Sequence, residues 1–157
     1  MALYIASSSP TAPSTTNCVL TITAASVRRS QVHEISVAGQ GTASAANELG
    51  TQRATTVGIT PVSYTPLLVD PLSAAAAGVV TVMTGASTSG WTTEPVSTQT
   101  VGLRLGCNSN GGIYRWVAKP GEEIALYSTA VTTGQLMIKF SLGGAQQMSV
   151  MAVFEEF

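Results

Sequence analysis

Apolar and polar residues alternate with a period of two along most of this chain. The clearest run is "QMSVMAVF", in which Met148, Val150, Ala152 and Phe154 fall on one face. Similar alternation occurs in "CVLTITA", "HEISVAG", "TVGLRLG" and "QLMIKFSL". A period of two with one apolar face is typical of half-buried antiparallel strands.

Two of these runs predict which side chains face the core. In "HEISVAG" the alternation puts His33 on the same face as Ile35 and Val37. In "QLMIKFSL" one face carries only apolar residues, namely Leu136, Ile138, Phe140 and Leu142. The apolar residues of both runs should therefore be directed inward in the folded chain, whereas we expect the lone histidine at a surface or an interface.

Turn residues separate these runs at short to moderate spacing, for example Asp70-Pro71 and Lys119-Pro120-Gly121. Many short strands with such punctuation indicate an antiparallel β-sandwich or a barrel. Helix is scarce. Only Thr42–Gly50 and Pro71–Gly78 favour a very short helical turn, each with a glycine at its end.

The stretch "NSNGGIYRWVAKPGEEIALYS", residues 108–128, reads as a turn, a strand, a second turn and another strand. We predict a hairpin unit with "KPGEE" as its corner and positive φ angles at Asn110 and Gly111. Alternation puts Tyr114 and Trp116 on one face and Arg115 on the other. The aromatic pair then belongs to the core, to an interface, or to a platform on which a sugar stacks.

The first residues differ in composition from the rest of the chain. Residues 1–17 contain the Ser/Thr/Pro segment "SSSPTAPSTT", which has little reason to fold on itself. We predict an extended N-terminal arm over 1–17 and a single domain over 18–157. Within it, "LYIA" could be a brief strand. The apolar residues Leu3, Tyr4 and Ile5 favour an arm that adds to a neighbouring surface, and a frayed terminus is the alternative.

The composition excludes some classes of partner. The chain has 157 residues, of which 45% are hydrophobic and only 10% are charged, and its net charge is −1. No basic stripe is available to neutralise phosphates, so we expect no nucleic acid partner. The chain start has no signal-peptide pattern and no apolar run is long enough to span a membrane, so we also expect no membrane partner and synthesis in a cytoplasm.

Candidate chemistry is sparse. Cys18 and Cys107 have no CxxC spacing and read as two buried thiols, with a single disulfide as the alternative. His33 is the only histidine, which leaves a zinc site without ligand spacing. Glu122 and Glu123 are adjacent, and neighbouring strand residues point to opposite faces. No P-loop or nucleophile elbow is present, and we predict no enzymatic activity, no metal and no cofactor.

The C-terminal half supplies a resemblance. "NSNGGIYRWVAKPGEEIALYS" is followed by the strands "GQLMIKFSLGG" and "QMSVMAVFEEF", and "HEISVAGQGTASAANELGTQRATT" precedes them. This pattern resembles the jelly-roll head decoration (cement) proteins of tailed bacteriophages over about residues 18–157. The resemblance implies an all-β antiparallel jelly-roll sandwich, a homotrimer, and attachment to the major capsid protein on the outside of the virion head.

Aromatic and arginine side chains dominate the energetics of many interfaces. The predicted interface residues are Leu3, Tyr4, Ile5, Arg28, Arg29, Arg53, Tyr64, Trp91, Tyr114 and Trp116. Two other binding roles stay open: a carbohydrate- or receptor-binding jelly roll of a phage tail or surface protein, and a jelly-roll capsid protein. The lack of Lys and Arg in residues 1–17 counts against a capsid protein that packages RNA. A hydrolase on a β-sandwich is the least favoured alternative.

Overall fold

The computed structural model describes residues 2–24, 29–56, 58–61, 64–70, 79–82, 91–98, 101–127, 134–142, 144 and 146–157. The strands in these residues are β1 Ala2–Ser7, β2 Leu20–Thr23, β3 Arg29–Gly39, β4 Ala46–Arg53, β5 Ile59–Pro61, β6 Leu67–Leu68, β7 Val79–Val82, β8 Trp91–Thr93, β9 Arg104–Asn108, β10 Ile113–Val117, β11 Ile124–Tyr127, β12 Gln135–Leu142 and β13 Met148–Glu156. In the described part of the chain, no helix is long and apolar enough to cross a membrane.

The strands form two antiparallel sheets and a small ribbon. Sheet A has the order β10-β3-β13-β1-β6, and β11 also pairs with β3. Sheet B has the order β7-β2-β12-β4-β9, and β5 pairs with β8 as the ribbon. One hydrophobic core joins buried residues of both sheets, such as Val37 of sheet A and Ile138 of sheet B. The predicted all-β sandwich is therefore confirmed.

The longest uninterrupted alternation in the sequence becomes the centre of sheet A. In β13 the residues Met148, Val150, Ala152 and Phe154 are fully buried, and the residues between them are partly exposed. Strand β13 pairs with β3 on one side and with β1 on the other. Because a strand with two neighbours has both rows of backbone hydrogen bonds satisfied, a fully buried position suits it.

Residues 2–7 of the predicted N-terminal arm belong to the folded domain, and the brief strand considered at "LYIA" is confirmed. These residues form β1, which pairs with β13 from Ala2↔Glu156 to Ser7↔Met151. Ala2, Tyr4 and Ala6 are buried, and the ring of Tyr4 stacks on Phe154 at a centroid distance of 5.3 Å. The backbone of the next residues still follows β13, since Thr11 exchanges two hydrogen bonds with Met148. The apolar run of three residues is thus a core strand of its own sheet.

A β-bulge interrupts the alternation at His33 and leaves this histidine partly exposed. Glu34 pairs with Val153 and Val32 pairs with Phe154, so His33 is the extra residue on β3. The bulge brings Val32 to the core in place of His33, while Ile35 and Val37 are buried as predicted. A bulge shifts the alternation by one residue, which a strict period of two cannot anticipate.

A second irregularity limits the predicted face of β12. Leu136, Ile138 and Phe140 are buried as expected, but the register of β12 on β4 shifts between Phe140 and Leu142. Leu142 lies beyond the shift and is exposed. The predicted apolar face therefore ends one residue pair early.

Residues 108–128 are not a hairpin unit. Strand β9 belongs to sheet B and β10 to sheet A, so the turn at 109–112 connects the two sheets. Strands β10 and β11 both pair with β3, opposite Glu34–Ala38 and Arg29–Val32 respectively, and the "KPG" corner separates two parts of one sheet edge. Gly111 and Gly112 have φ angles of 88° and 91°, which only glycine adopts readily.

Of the two predicted helical turns, only the first lies in the described residues, and part of it is a strand. Residues 46–50 of the first one lie in β4, which pairs with β9 and β12. The local preference of alanine for helix is overridden here by pairing on both sides. The second predicted turn, 71–78, lies outside the described residues.

The segment between β4 and β9 covers part of the outer face of sheet B. Cys18, Ala54 and Met137 form a second small apolar cluster there. Trp91 is buried, and its Nε1 donates a hydrogen bond to Thr21 Oγ1 at 3.3 Å. A side chain at Gly58 would lie 2.5 Å from the Trp91 ring, so this packing requires glycine. The outer face of sheet A has no comparable cover among the described residues.

Placing β1 inside sheet A makes a testable distinction between adjacent residues. We expect Ala6→Asp to lower the free energy of unfolding by several kcal/mol, because a carboxylate buried without a partner is costly. Ser7→Asp, one residue further and exposed, should change it by less than about 0.5 kcal/mol. Urea denaturation followed by circular dichroism measures both values. Equal tolerance of the two substitutions would mean that β1 is not part of the fold.

Candidate interaction surfaces

The outer face of sheet A carries a row of apolar side chains across its strands. Tyr4 and Phe154 point inward, so the alternation directs Leu3, Ile5 and Val153 outward. Directly opposite residues share a face, and the register aligns Leu67, Ile5, Val153, Glu34 and Val117 in one row. Leu67 is 66% exposed and Val117 is 51% exposed.

The neighbouring positions extend this surface. Met151 lies next to Val153 along β13 on the same face, and Ile113 on β10 is 75% exposed. We call the set of Leu3, Ile5, Leu67, Ile113, Val117, Met151 and Val153 the apolar face of sheet A. Most monomeric proteins expose only small contiguous apolar patches, so a surface of this kind favours burial against another protein.

Arg115 and Glu34 form an ion pair on this face. The guanidinium of Arg115 donates from Nε and from Nη2 to the two carboxylate oxygens of Glu34, each at 2.6 Å. These hydrogen bonds raise the pKa of Arg115 above its ordinary value. His33 Nε2 lies 3.4 Å from Glu155 Oε2. Because the Arg115–Glu34 pair is already formed, burying it against a partner costs less than burying the two charges separately.

The corner between β10 and β11 borders this face and is held by its own hydrogen bonds. The carboxylate of Glu123 accepts from the backbone N–H of Gly121, and the N–H of Ala118 donates to the carbonyl of His33. The pKa of Glu123 is lowered by hydrogen bonds from backbone N–H groups and, to a smaller extent, by the nearby charges of His33 and Arg29.

A cleft opens at one edge of the sandwich, where β4 of sheet B faces β10 and β11 of sheet A. Its volume is about 400 Å³, and it is lined by Thr51, Gln52, Arg53, Gly102, Leu103, Trp116, Ile124 and Leu136. Arg53 reaches across from sheet B and donates from Nη2 to the carbonyl oxygen of Ala125 at 2.7 Å. The structure therefore brings two of the predicted interface residues, Arg53 and Trp116, into one cavity. The sequence gives no signal that they line the same cavity, because they are more than sixty positions apart in the chain.

The remaining predicted interface residues lie apart. Leu3 and Ile5 are on the apolar face of sheet A. Tyr4 and Trp91 are buried within the chain and are not available to a partner. Tyr64 is exposed.

The arginine pair and the aromatic pair also separate. Arg29 is exposed, and its guanidinium lies 5.2 Å from the centre of the Tyr127 ring. Arg28 lies outside the described residues. Tyr114 and Trp116 share a face as predicted, and both pack against the core between the sheets. They do not form an outward aromatic platform.

The two cysteines are buried, free thiols, as predicted. Burial raises the pKa of both, and the carboxylate of Glu94 raises that of Cys18 further. The backbone N–H of Cys18 donates to Glu94 Oε2 at 3.0 Å. A thiol with a raised pKa forms little of the thiolate that reacts with oxidants and metals.

The titratable residues are spread over the molecule. Among the described residues, no group of three or more His, Cys, Asp or Glu side chains is arranged to hold a metal ion. Glu122 and Glu123 lie in the corner before β11 and not in a strand, so the predicted alternation does not apply to them. Glu48 is engaged with Ser141 and with Arg104, which lower its pKa.

Comparison of the chain with protein-family models, with curated proteins and with solved structures finds no match.

The burial of the cysteines predicts their reactivity. In the native protein at pH 8, Cys18 and Cys107 should react with a disulfide reagent at least about a hundredfold more slowly than an exposed thiol, because access and thiolate content are both low. In concentrated urea both should react fully. Ser9→Cys, which puts a thiol at an exposed position, is the positive control. Fast reaction of the native wild-type chain would contradict the burial of these residues.

Proposed function

We propose that this chain is a structural virion protein, a decoration or cement protein that binds the outside of a tailed-phage head as a homotrimer. The observation that carries the proposal is the apolar face of sheet A on an otherwise self-contained β-sandwich. The chain would act through shape and burial, without catalysis. Its binding partner would be the major capsid protein.

The strand order supports the jelly-roll form of the sandwich. We count β1, β2, β3, β4, β9, β10, β12 and β13 as strands one to eight. Sheet A then has the order first, eighth, third, sixth, and sheet B has the order second, seventh, fourth, fifth. Two interleaved Greek keys produce this arrangement, which defines the jelly roll. Strands β6 and β7 are additions from the segment between β4 and β9, at the far edge of each sheet.

The apolar face of sheet A supports self-association in particular. A chain that carries exposed Leu67, Ile113 and Val117 needs a cover before it reaches any shell. Permanent homo-oligomer interfaces are more hydrophobic than interfaces that form between separately stable proteins. We therefore assign this face to the contact between copies of the chain, and we leave the contact with the capsid to the more polar surface.

Trimerisation would also serve attachment. A single contact of ordinary size gives modest affinity. Three linked copies bind a symmetric shell with a higher effective concentration for the second and third contacts. Loss of the trimer should thus weaken binding to the head even when the capsid-binding surface is intact.

Substitution on the apolar face tests this proposal. Native mass spectrometry should give three chains for the wild type and one chain for the Ile5→Lys, Leu67→Lys double variant, because two desolvated lysines oppose close packing. Val96→Lys, which puts the same charge on an exposed valine elsewhere, should keep the trimer. Thermal unfolding checks that the wild type and both variants are folded.

Binding to heads is the second part of the test. The wild type and Val96→Lys should sediment with purified heads of the phage that carries this sequence, and the double variant should bind at least about tenfold more weakly. A monomeric wild type would exclude the trimer. A folded trimer that does not bind the heads would exclude the decoration role.

A further inference from the structure

We propose that Tyr64 of one chain inserts into a hydroxyl-lined cavity on the outer face of sheet A in the next copy. The inference rests on the trimer of the proposed function and adds the two surfaces that join in it. It depends on the lining of the cavity, on a buried hydroxyl group in its wall and on the few side chains that could fill it.

The cavity lies where small side chains meet in sheet A. The register aligns Ala38 of β3 with Ser149 of β13 and with Ile113 of β10, and it aligns Ser36 with Met151. The residues on either side of Ser36 and Ser149 are buried in the core, so both serines are directed to the outer face. All five residues line the cavity, whose volume of about 360 Å³ has room for one aromatic side chain. We call this cavity the serine hollow.

Hydroxyl groups make the serine hollow polar without making it charged. Ser36 is only 7% exposed, and its hydroxyl has no hydrogen-bond partner in the described part of the chain. Ser149 Oγ accepts from Gln40 Nε2 at 3.0 Å, so its own O–H can still donate to a second group. Ser7 adds another hydroxyl, and none of the described lining residues is charged. Because an unpaired buried hydroxyl is costly, the hollow favours an occupant with a neutral polar group.

The serine hollow is part of the surface that we assign to contact between copies. Two of its lining residues, Ile113 and Met151, are members of the apolar face of sheet A. A neighbour that covers this face therefore also covers the hollow. If the neighbour left the hollow empty, the walls would lose van der Waals contacts and the hydroxyl of Ser36 would stay unpaired. The neighbour should thus supply a side chain that fills it.

Tyr64 is the side chain that fits this requirement. The occupant needs an apolar body against the walls and a neutral polar end against the serines, which is the chemistry of a phenol. Among the exposed large apolar side chains of the described residues, only Tyr64 and Tyr127 end in a hydroxyl. Tyr127 contacts the guanidinium of Arg29 in its own chain. Tyr64 is 40% exposed and lies three residues before Leu67, which belongs to the apolar face.

A closed trimer also needs two different surfaces on each chain. In a ring of three copies, the patch that one copy presents meets a different patch on the next copy. Leu67 lies on β6 and Ile113 lies on β10, and these strands are the two edges of sheet A. The segment with Tyr64 and the wall of the serine hollow are therefore separate parts of the chain, as such a ring requires.

An engineered disulfide tests the contact directly. Under mild oxidation, the Tyr64→Cys, Ile113→Cys variant should form disulfides between copies, and a gel without reductant should show two and three linked chains. The Tyr64→Cys, Val96→Cys variant has its second thiol at an exposed site outside the hollow and should stay unlinked. The native residues Cys18 and Cys107 are buried and do not compete.

The hydroxyl groups give a second test. Tyr64→Phe should raise the concentration at which half of the trimer dissociates by at least about fivefold, because Ser36 loses its partner. In a Ser36→Ala background the same substitution should have a smaller effect, since no hydroxyl is left unpaired. Tyr127→Phe is the matched control and should leave this concentration unchanged. Native mass spectrometry over a dilution series measures all of these values.

The outcomes separate this contact from the trimer itself. Linked chains in the 64–113 pair, together with coupling between Tyr64→Phe and Ser36→Ala, support the proposal. A wild type that is monomeric at every concentration overturns both the trimer and the contact. A wild-type trimer whose 64–113 pair stays unlinked, and which dissociates like Tyr64→Phe and Tyr64→Ala, overturns the Tyr64 contact alone. Thermal unfolding checks that each variant is folded.

Discussion

The pairing of the C-terminal strand between β1 and β3 is the constraint on which the rest of the structure depends. Strand β13 supplies Met148, Val150, Ala152 and Phe154 to the core and has a partner strand on both sides. Both neighbours come from the first part of the chain, so the sandwich closes only after its last strand is available. The cost of closing such long loops is met by one continuous apolar row, with the stacked ring of Tyr4 at its end.

The bulge at His33 has consequences well beyond its own residue. It keeps Val32 and Ile35 in the core, although they are three positions apart in a strand. On the edge formed by β10 and β11, the chain leaves the sheet between Val117 and Ile124. In this corner, the N–H of Ala118 donates to the carbonyl of His33. The cleft beside Trp116 lies at this break in the sheet edge.

The sequence predicts those parts of this fold that are local and fails on those that depend on distant partners. The alternation over residues 148–154 and 136–140 matches the buried faces of β13 and β12, since the signal is long and each strand is central. The sequence allows a brief strand at "LYIA" but does not assign it to the core, because its apolar residues are few and a Ser/Thr/Pro segment follows them. Whether such a segment is an extended arm or a core strand depends on its pairing with β13, which is distant in the sequence. The preference of residues 42–50 for helix loses to pairing for the same reason.

For the candidate surfaces too, the sequence predicts what is local and fails on what depends on distant partners. The sequence identifies Leu3, Ile5, Arg53 and Trp116 as residues of interest, since apolar, aromatic and arginine side chains are candidates for interfaces wherever they lie. It cannot assign them to two surfaces, because Arg53 and Trp116 meet only when β4 and β10 face each other from different sheets. The bulge is also invisible in a strict period of two, so the break in the sheet edge beside it could not be predicted.

Strand β10 shows how two surfaces can share one element. Ile113, Arg115 and Val117 point outward and belong to the side that we assign to contact between copies. Tyr114 and Trp116 point inward, and Trp116 lines the cleft. Because alternate side chains stand on opposite sides of a sheet, a substitution on one surface leaves the other in place. Substitutions on the outward face and in the cleft can therefore be made separately, although Trp116 lies between Arg115 and Val117 in the sequence.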